Sequence, residues 1–260
     1  MRAGRLHSWE AWRQGWGNLW RSPSPLLGFS AAVLSLHLLG WGLFAAGEAS
    51  DSGVLSALLH LLGLLLYSTS LIWMIEGLTR AGLTLARREP LSWGAFWPWP
   101  GQPSWRLIRS LLALASAAAA AALVSFASWS LLLLVLPGLS LAAALVGVIA
   151  STALAISQLF SACLALETRM GPAASLRTGV LLLERHGPGL LLLSALLLAS
   201  LLAPLLAGLL AEALAAGLGV AVTALAWVLS LPWIANSVAH AYLQLESELR
   251  LISPQRPAAR

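Results

Sequence analysis

The chain contains no lysine; all 15 of its basic residues are arginine. Charge of either sign is scarce, with Asp, Glu and Arg making up 10% of 260 residues against 59% hydrophobic residues and a mean hydropathy of +0.83. A soluble domain carries about 25% charged residues, so the polar surface is too small to cover a water-soluble globule, and a membrane location is expected. No stretch of ordinary polarity exceeds about 30 residues, whereas an independent domain needs roughly 50. That excludes a large extramembrane catalytic domain, and with it nucleic-acid binding as the main task. The single cysteine, Cys163, excludes an intramolecular disulfide. The opening MRAGRLHSWEAWRQGW lacks the apolar core of a secretory signal. Phosphate-binding glycine loops, zinc-ligand spacings, Ser-His-Asp sets and paired catalytic carboxylates are all missing, so no catalytic residues, cofactor or metal are expected. The lack of lysine, alongside abundant Ala, Leu, Gly and Trp, reads as GC-rich coding rather than selection for guanidinium chemistry.

What is present is leucine-rich sequence in long runs. An apolar run of about 18 residues or more can cross a bilayer as a helix, and six occur, at about 26–47, 53–78, 107–136, 139–166, 189–211 and 217–243. The third and fourth meet at Pro137-Gly138 in LLLLVLPGLS, where proline removes a backbone donor and glycine permits reversal. The fifth and sixth are separated by AEALAAG, whose only charge is Glu212. The expected fold is all-α: a polytopic bundle of six transmembrane helices in three hairpins. Residues 1–24 form a cytoplasmic interfacial segment, 25–245 the transmembrane domain and 246–260 a short cytoplasmic tail.

Arginine placement sets the expected direction. Arg2, Arg5, Arg13 and Arg21 precede span one; Arg80, Arg87, Arg88, Arg106 and Arg109 lie between spans two and three; Arg169, Arg177 and Arg185 lie between four and five; Arg250, Arg256 and Arg260 follow span six. The other connections hold only Glu48, Asp51 and Glu212. Every arginine therefore falls on one side, which is read as cytoplasmic with both termini on it. Miscounting a single span would break this segregation.

Before span one, Trp9, Trp12, Trp16 and Trp20 fall within about 80° of one helix face, opposite Glu10, Gln14, Asn18 and Arg21. Indole favours the headgroup level, so this segment reads as a helix lying in the cytoplasmic interface; the alternative is a helix that packs its Trp stripe on the end of the bundle. Sliding AWRQGWGNLWRSPSPLLGFS (11–30) by 164 positions onto SLRTGVLLLERHGPGLLLLS (175–194) matches Arg13 with Arg177, Gly15 with Gly179, Arg21 with Arg185 and Ser30 with Ser194, without a gap. The segment SWGAFWPWPGQPSWRLIRS (92–110) reads as a third, proline-interrupted version. Three units follow, each an in-plane segment and a hairpin.

These segments resemble a known family: the six-helix membrane domain attached to some bacterial glycerophosphoryl diester phosphodiesterases, and its stand-alone relatives. The resemblance rests on AWRQGWGNLWRSPSPLLGFS, GLTRAGLTLARREPLSWGAF, LPGLSLAAAL, LETRMGPAASLRTGVLLLERHGPGLLLLS and LPWIANSVAHAYLQL, in that order, to about residue 245. It implies the fold, the topology and a bacterial cytoplasmic membrane. Phosphodiesterase activity is not implied, because it belongs to a separate soluble barrel absent from these motifs.

Polar residues inside a bilayer are costly and point to function by default. Glu76, Gln158, Asn236 and His240 lie toward the cytoplasmic ends of spans two, four and six and could line a polar cavity; alternatively, Glu76 pairs with Arg80 while Gln158 and Asn236 bond between helices. His37 and His60 could share a depth and hold a haem, or each could bond a neighbouring Ser or carbonyl. Small residues from Ala113 to Ala122, and Gly217, Ala221 and Ala224, would allow close helix approach. The leading expectation is a non-enzymatic membrane protein that organises lipids or partner proteins at the cytoplasmic leaflet. Trp9, Trp12, Trp16, Trp20, Arg13, Arg21, Arg177 and Arg185 would hold anionic headgroups, and a protein partner or second copy is compatible with it. The competing expectation is a transporter or channel for a small or lipid-like solute.

Overall fold

Proline and glycine break the chain into helices. Ser22 leaves the helical region (φ −142°, ψ 62°) just before Pro23, and Leu136 does the same (φ −140°, ψ 74°) before Pro137. Each proline then occupies the first turn of the next helix, where its missing N–H is no loss. A computed structural model describes residues 6–96, 102–168 and 170–252, and within these all regular structure is helical. The helices are α1 (Ser8–Arg21), α2 (Pro23–Glu48), α3 (Gly53–Ala86), α4 (Gln102–Val135), α5 (Pro137–Ser157), α6 (Ser161–Glu167), α7 (Pro172–Leu214) and α8 (Leu218–Ile252), with a 3-10 turn at Trp93–Phe96. Six helical stretches are long and apolar enough to cross a membrane: Pro23–Glu48, Gly53–Ala86, Pro103–Val135, Pro137–Glu167, Pro172–Leu214 and Leu218–Leu249. They coincide with the six expected runs, and several overrun them. α3 continues past 78 to Ala86, and α7 begins at Pro172 rather than near 189. The fourth stretch is broken at residues 158–160 into α5 and α6.

The chain divides into two compact units, one of residues 1–8, 100–194 and 244–260, the other of 9–99 and 195–243. In the second unit, Leu19, Leu26, Phe29, Val33, Leu78, Ala81, Leu85 and Phe96 form one buried cluster. Phe29 stacks on Phe96 at 4.4 Å, and the Trp73 indole donates to the Phe96 carbonyl at 2.9 Å. α2 and α3 approach so closely that a Cβ on Gly40 would lie 2.8 Å from the Tyr67 nitrogen, the close approach small residues permit between apolar helices. In the first unit, α4 packs on α5 and α6, and Arg106 Nε donates to the Ala165 carbonyl at 3.1 Å. The stretch Ala113–Ala122 does not act as a tight seam: no residue in the most apolar window of α4 is buried. Large aliphatics such as Leu123, Leu134, Val146 and Leu209 stand exposed on α4, α5 and α7, an apolar surface suited to lipid rather than water.

The 164-residue repeat has a backbone counterpart. α1 spans Ser8–Arg21 and is followed by the break at Ser22; α7 starts at Pro172 and is interrupted at His186 (φ −121°, ψ 21°). Both the helix start and the break are thus offset by the same shift that aligns the residues. Ala11, Gly15, Leu26, Phe29 and Val33 are buried, and so are Ser175, Gly179, Leu190, Leu193 and Leu197. The expected in-plane segment before span five is therefore the first part of a kinked helix. Of the proposed third version, Trp97, Pro98, Trp99 and Pro100 lie outside the described residues, and Trp93–Phe96 forms only a 3-10 turn.

Candidate functional site

α1 has three faces with different partners. Ala11, Gly15, Asn18 and Leu19 are buried and occupy an arc of about 100°. Gly15 lies against Ser237 of α8, where a Cβ would come within 2.7 Å of the Ser237 nitrogen. Trp12 belongs to this contact: its Nε1 donates to Ser200 Oγ at 3.0 Å, and its carbonyl accepts from Trp233 Nε1 at 3.0 Å. Trp12 meets the Trp233 ring tilted at 4.6 Å, and Trp16 meets it edge-on at 4.8 Å. Trp9, Trp16 and Trp20 remain exposed (57, 38 and 54%) on the neighbouring face. The structure corrects the expected division of this helix, because Asn18 points inward and is 2% exposed. Small residues let α1 seat on α8, and the Asn18 amide finds polar partners there.

The third face borders a cleft of about 320 Å³ lined by Arg13, Gln14, Gly17, Asn18 and Arg21 of α1, Arg88 at the end of α3, and His240 of α8. Among the described residues, no carboxylate lines it. Arg21 Nη1 donates to Asn18 Oδ1 at 3.1 Å, and Asn18 Nδ2 faces His240 Nε2 at 2.7 Å. Since guanidinium can only donate, the amide oxygen must face Arg21 and the amide nitrogen His240. His240 Nε2 is therefore the acceptor, and its proton sits on Nδ1. This chain of contacts fixes the Arg21 head at the rim. Arg88 reaches the same cleft from a left-handed backbone (φ 63°). It follows Arg87 at the end of α3; Arg88 N–H donates to the Leu85 carbonyl at 2.9 Å and Glu89 N–H to the Thr84 carbonyl at 3.0 Å. Glycine normally fills this helix-terminating position, because a Cβ is penalised there.

The other expected site residues separate. Glu76 is buried and bonded to Arg80 at 2.6 Å within α3, as the structural alternative supposed. Asn236 is fully buried, and among the described residues neither its Oδ1 nor its Nδ2 has a hydrogen-bond partner. Gln158 belongs to the other compact unit, where its Nε2 donates to Ser157 Oγ at 2.9 Å and to the Leu176 carbonyl at 3.2 Å. Arg177 is exposed in that unit too. Arg185 pairs with Glu248 at 2.8 Å, and His186 Nε2 meets the other Glu248 oxygen at 2.8 Å. Arg185 therefore pairs across to α8 and not with its neighbour Glu184.

His37 and His60 do not share a depth. His37 lies beside Ser70 (3.2 Å) and stacks on Tyr67, whereas His60 bonds the Ser56 carbonyl at 2.8 Å and abuts Gly47. Gly47 is ten residues along α2 from His37, about 15 Å at 1.5 Å per residue. Two features escaped the sequence reading. Arg88 was placed only among the charges of its connection, because nothing in LTLARREP beyond the following proline marks the backbone turn. The second is an apolar cleft of about 510 Å³ lined by Leu34, Leu38, Leu205, Leu209, Val220 and Trp227, among others. At its edge Glu212 accepts from the Gly217 and Gly219 N–H groups at 2.9 Å each, so the one charge in that connection caps the start of α8. The chain matches no protein-family model, no curated protein and no solved structure.

Proposed function

We propose that this is a six-span integral membrane protein without catalytic activity, which holds anionic lipid at the cytoplasmic leaflet through α1 and the cleft beside it. The observation that carries this reading is the two-sided character of α1: Trp9, Trp16 and Trp20 exposed on one face, and Arg13 and Arg21 on a cleft free of lining carboxylates on another. Indoles suit the headgroup level and guanidinium groups suit phosphate. On this reading the six spans form three hairpins, the arginine-bearing side faces the cytoplasm of a bacterial cell, and the sequence resemblance to the phosphodiesterase-associated membrane domain reflects a shared architecture. Lipid retention tests it. Protein purified in mild detergent should carry phosphatidylglycerol in preference to phosphatidylcholine, and Trp9→Ala, Trp16→Ala and Trp20→Ala combined should reduce the amount carried without unfolding the protein. Equal retention by the triple variant counts against the reading. Trp12 is left out of this set because it packs inward.

One observation favours a second reading, transport of a small or lipid-like solute. The Asn236 amide is fully buried with no partner at either polar atom, an arrangement that costs free energy unless it serves something. Reconstituted flux that survives both Asn236→Ala and Glu76→Gln removes the residues on which this reading stands.

A further inference from the structure

We propose that the arginine cleft is a site for a phosphate monoester group, the dianion with three terminal oxygens, rather than for the singly charged phosphodiester of common headgroups. This rests on the preceding reading that the cleft receives an anion. Arg13, Arg21 and Arg88 bring three permanent positive charges to one cleft that, among the described residues, no Asp or Glu lines. Among the described residues, neither the Arg13 nor the Arg88 guanidinium has a hydrogen bond or ion pair. The acids nearest in sequence are Glu10 and Glu89; Glu10 is held by Gln14 Nε2 at 2.9 Å along the helix, Glu89 is exposed, and neither is part of the lining.

Charge decides the ligand class. A phosphodiester carries one negative charge and leaves two of three guanidiniums uncompensated, whereas a monoester carries about −1.5 to −2 near neutral pH and offers three acceptor oxygens. Guanidinium forks suit such oxygens in pairs. The remaining lining is neutral: Asn18 has both ends of its amide committed, to Arg21 and to His240, so it holds Arg21 in place rather than competing for the anion. The third arginine stands where a left-handed backbone ordinarily selects glycine. About 320 Å³ corresponds to roughly ten water volumes, room for a phosphate and a small substituent. A phosphatidic-acid headgroup and a soluble phosphate monoester present the same chemistry.

The test uses the full chain in mild detergent, with bound lipid counted by native mass spectrometry. Phosphatidic acid should be retained about tenfold more tightly than phosphatidylglycerol, the gain expected of an added charge-assisted contact. Arg13→Gln and Arg88→Gly should each abolish the preference, while Arg109→Gln, on an exposed arginine outside the cleft, should leave it intact. Size-exclusion profiles identify any variant that fails to fold; the other cleft variant then carries the test. Displacement of phosphatidic acid by millimolar inorganic phosphate supports the proposal with a soluble source, and retention in its presence supports it with a lipid source. Equal retention of phosphatidic acid and phosphatidylglycerol, both above phosphatidylcholine, overturns the monoester assignment but leaves the anionic-lipid reading standing. Retention of neither above phosphatidylcholine overturns both. A preference that survives both cleft substitutions overturns the location.

Discussion

Arg88 and Asn236 each occupy a position that a residue chosen only for stability would not. Arg88 adopts φ 63° at the end of α3, where a side chain costs about 1 kcal/mol relative to glycine. Arg88→Gly should therefore hold or raise the thermal stability of the purified protein while weakening anion binding, an opposition that unfolding scans and lipid retention together would show. A fall in stability would mean that the Arg88 side chain holds the helix end through contacts of its own. Asn236 is the complementary case. With both amide atoms buried and unpartnered inside the protein, its replacement by the similarly sized Leu should stabilise the fold by about 1–3 kcal/mol, the cost of an unsatisfied buried polar group. Asn236→Leu that destabilises in a thermal scan would show that the amide has a binding partner in the membrane. These residues differ in how far sequence discloses them. Asn236 stands out as a polar residue in an apolar run, whereas Arg88 is one arginine of fifteen until the backbone of α3 is seen to end there.

At the level of the element, the repeat turns a chemical match into a mechanical one. Gly15 and Gly179 align by sequence, and each sits directly against a neighbouring backbone within its own unit: Gly15 on Ser237, Gly179 on the Ser157 carbonyl and Gln158. A methyl group at either must displace backbone. Gly15→Ala and Gly179→Ala should each cost about 1–3 kcal/mol, while Gly17→Ala, with nothing within 4 Å, should be neutral or gain up to about 1 kcal/mol from helix propensity. Comparative unfolding of the three variants checks the set, and a harmless Gly15→Ala would contradict the seat of α1 on α8. The helix starts and breaks were legible because Ser22-Pro23 and the glycines following His186 mark them. Which face of α1 turns inward was not. The Trp stripe carries the stronger hydrophobic signal, yet the Ala11 and Gly15 side wins because small residues allow closer packing than exposed indoles do. The break between α5 and α6 was likewise invisible, since SQLF continues an apolar run without proline or glycine.

Across the whole chain, composition reveals the apolar helices and hides the partition into units. Six long apolar helices follow from local runs of leucine and alanine, whereas the cleft joins α1 to His240 across 222 positions of sequence, a pairing no local pattern encodes. Charge segregation does act at this scale. Each guanidinium is expensive to move through hydrocarbon, and arginine-rich connections are retained in the cytoplasm. On the proposed topology the connection between α3 and α4 lies inside and the one between α2 and α3 outside. Glu89 and Asp51 are exposed residues in these two connections, and Cys163 is buried at 1% exposure, so a Cys163→Ala background can carry single reporter cysteines. In intact cells a membrane-impermeant maleimide should label Asp51→Cys and leave Glu89→Cys unlabelled until the cytoplasmic membrane is permeabilised. The reverse pattern would place the arginine cleft on the outer leaflet, where the cytoplasmic lipid reading fails whatever the cleft binds; labelling of both sites in intact cells would break the six-span topology itself.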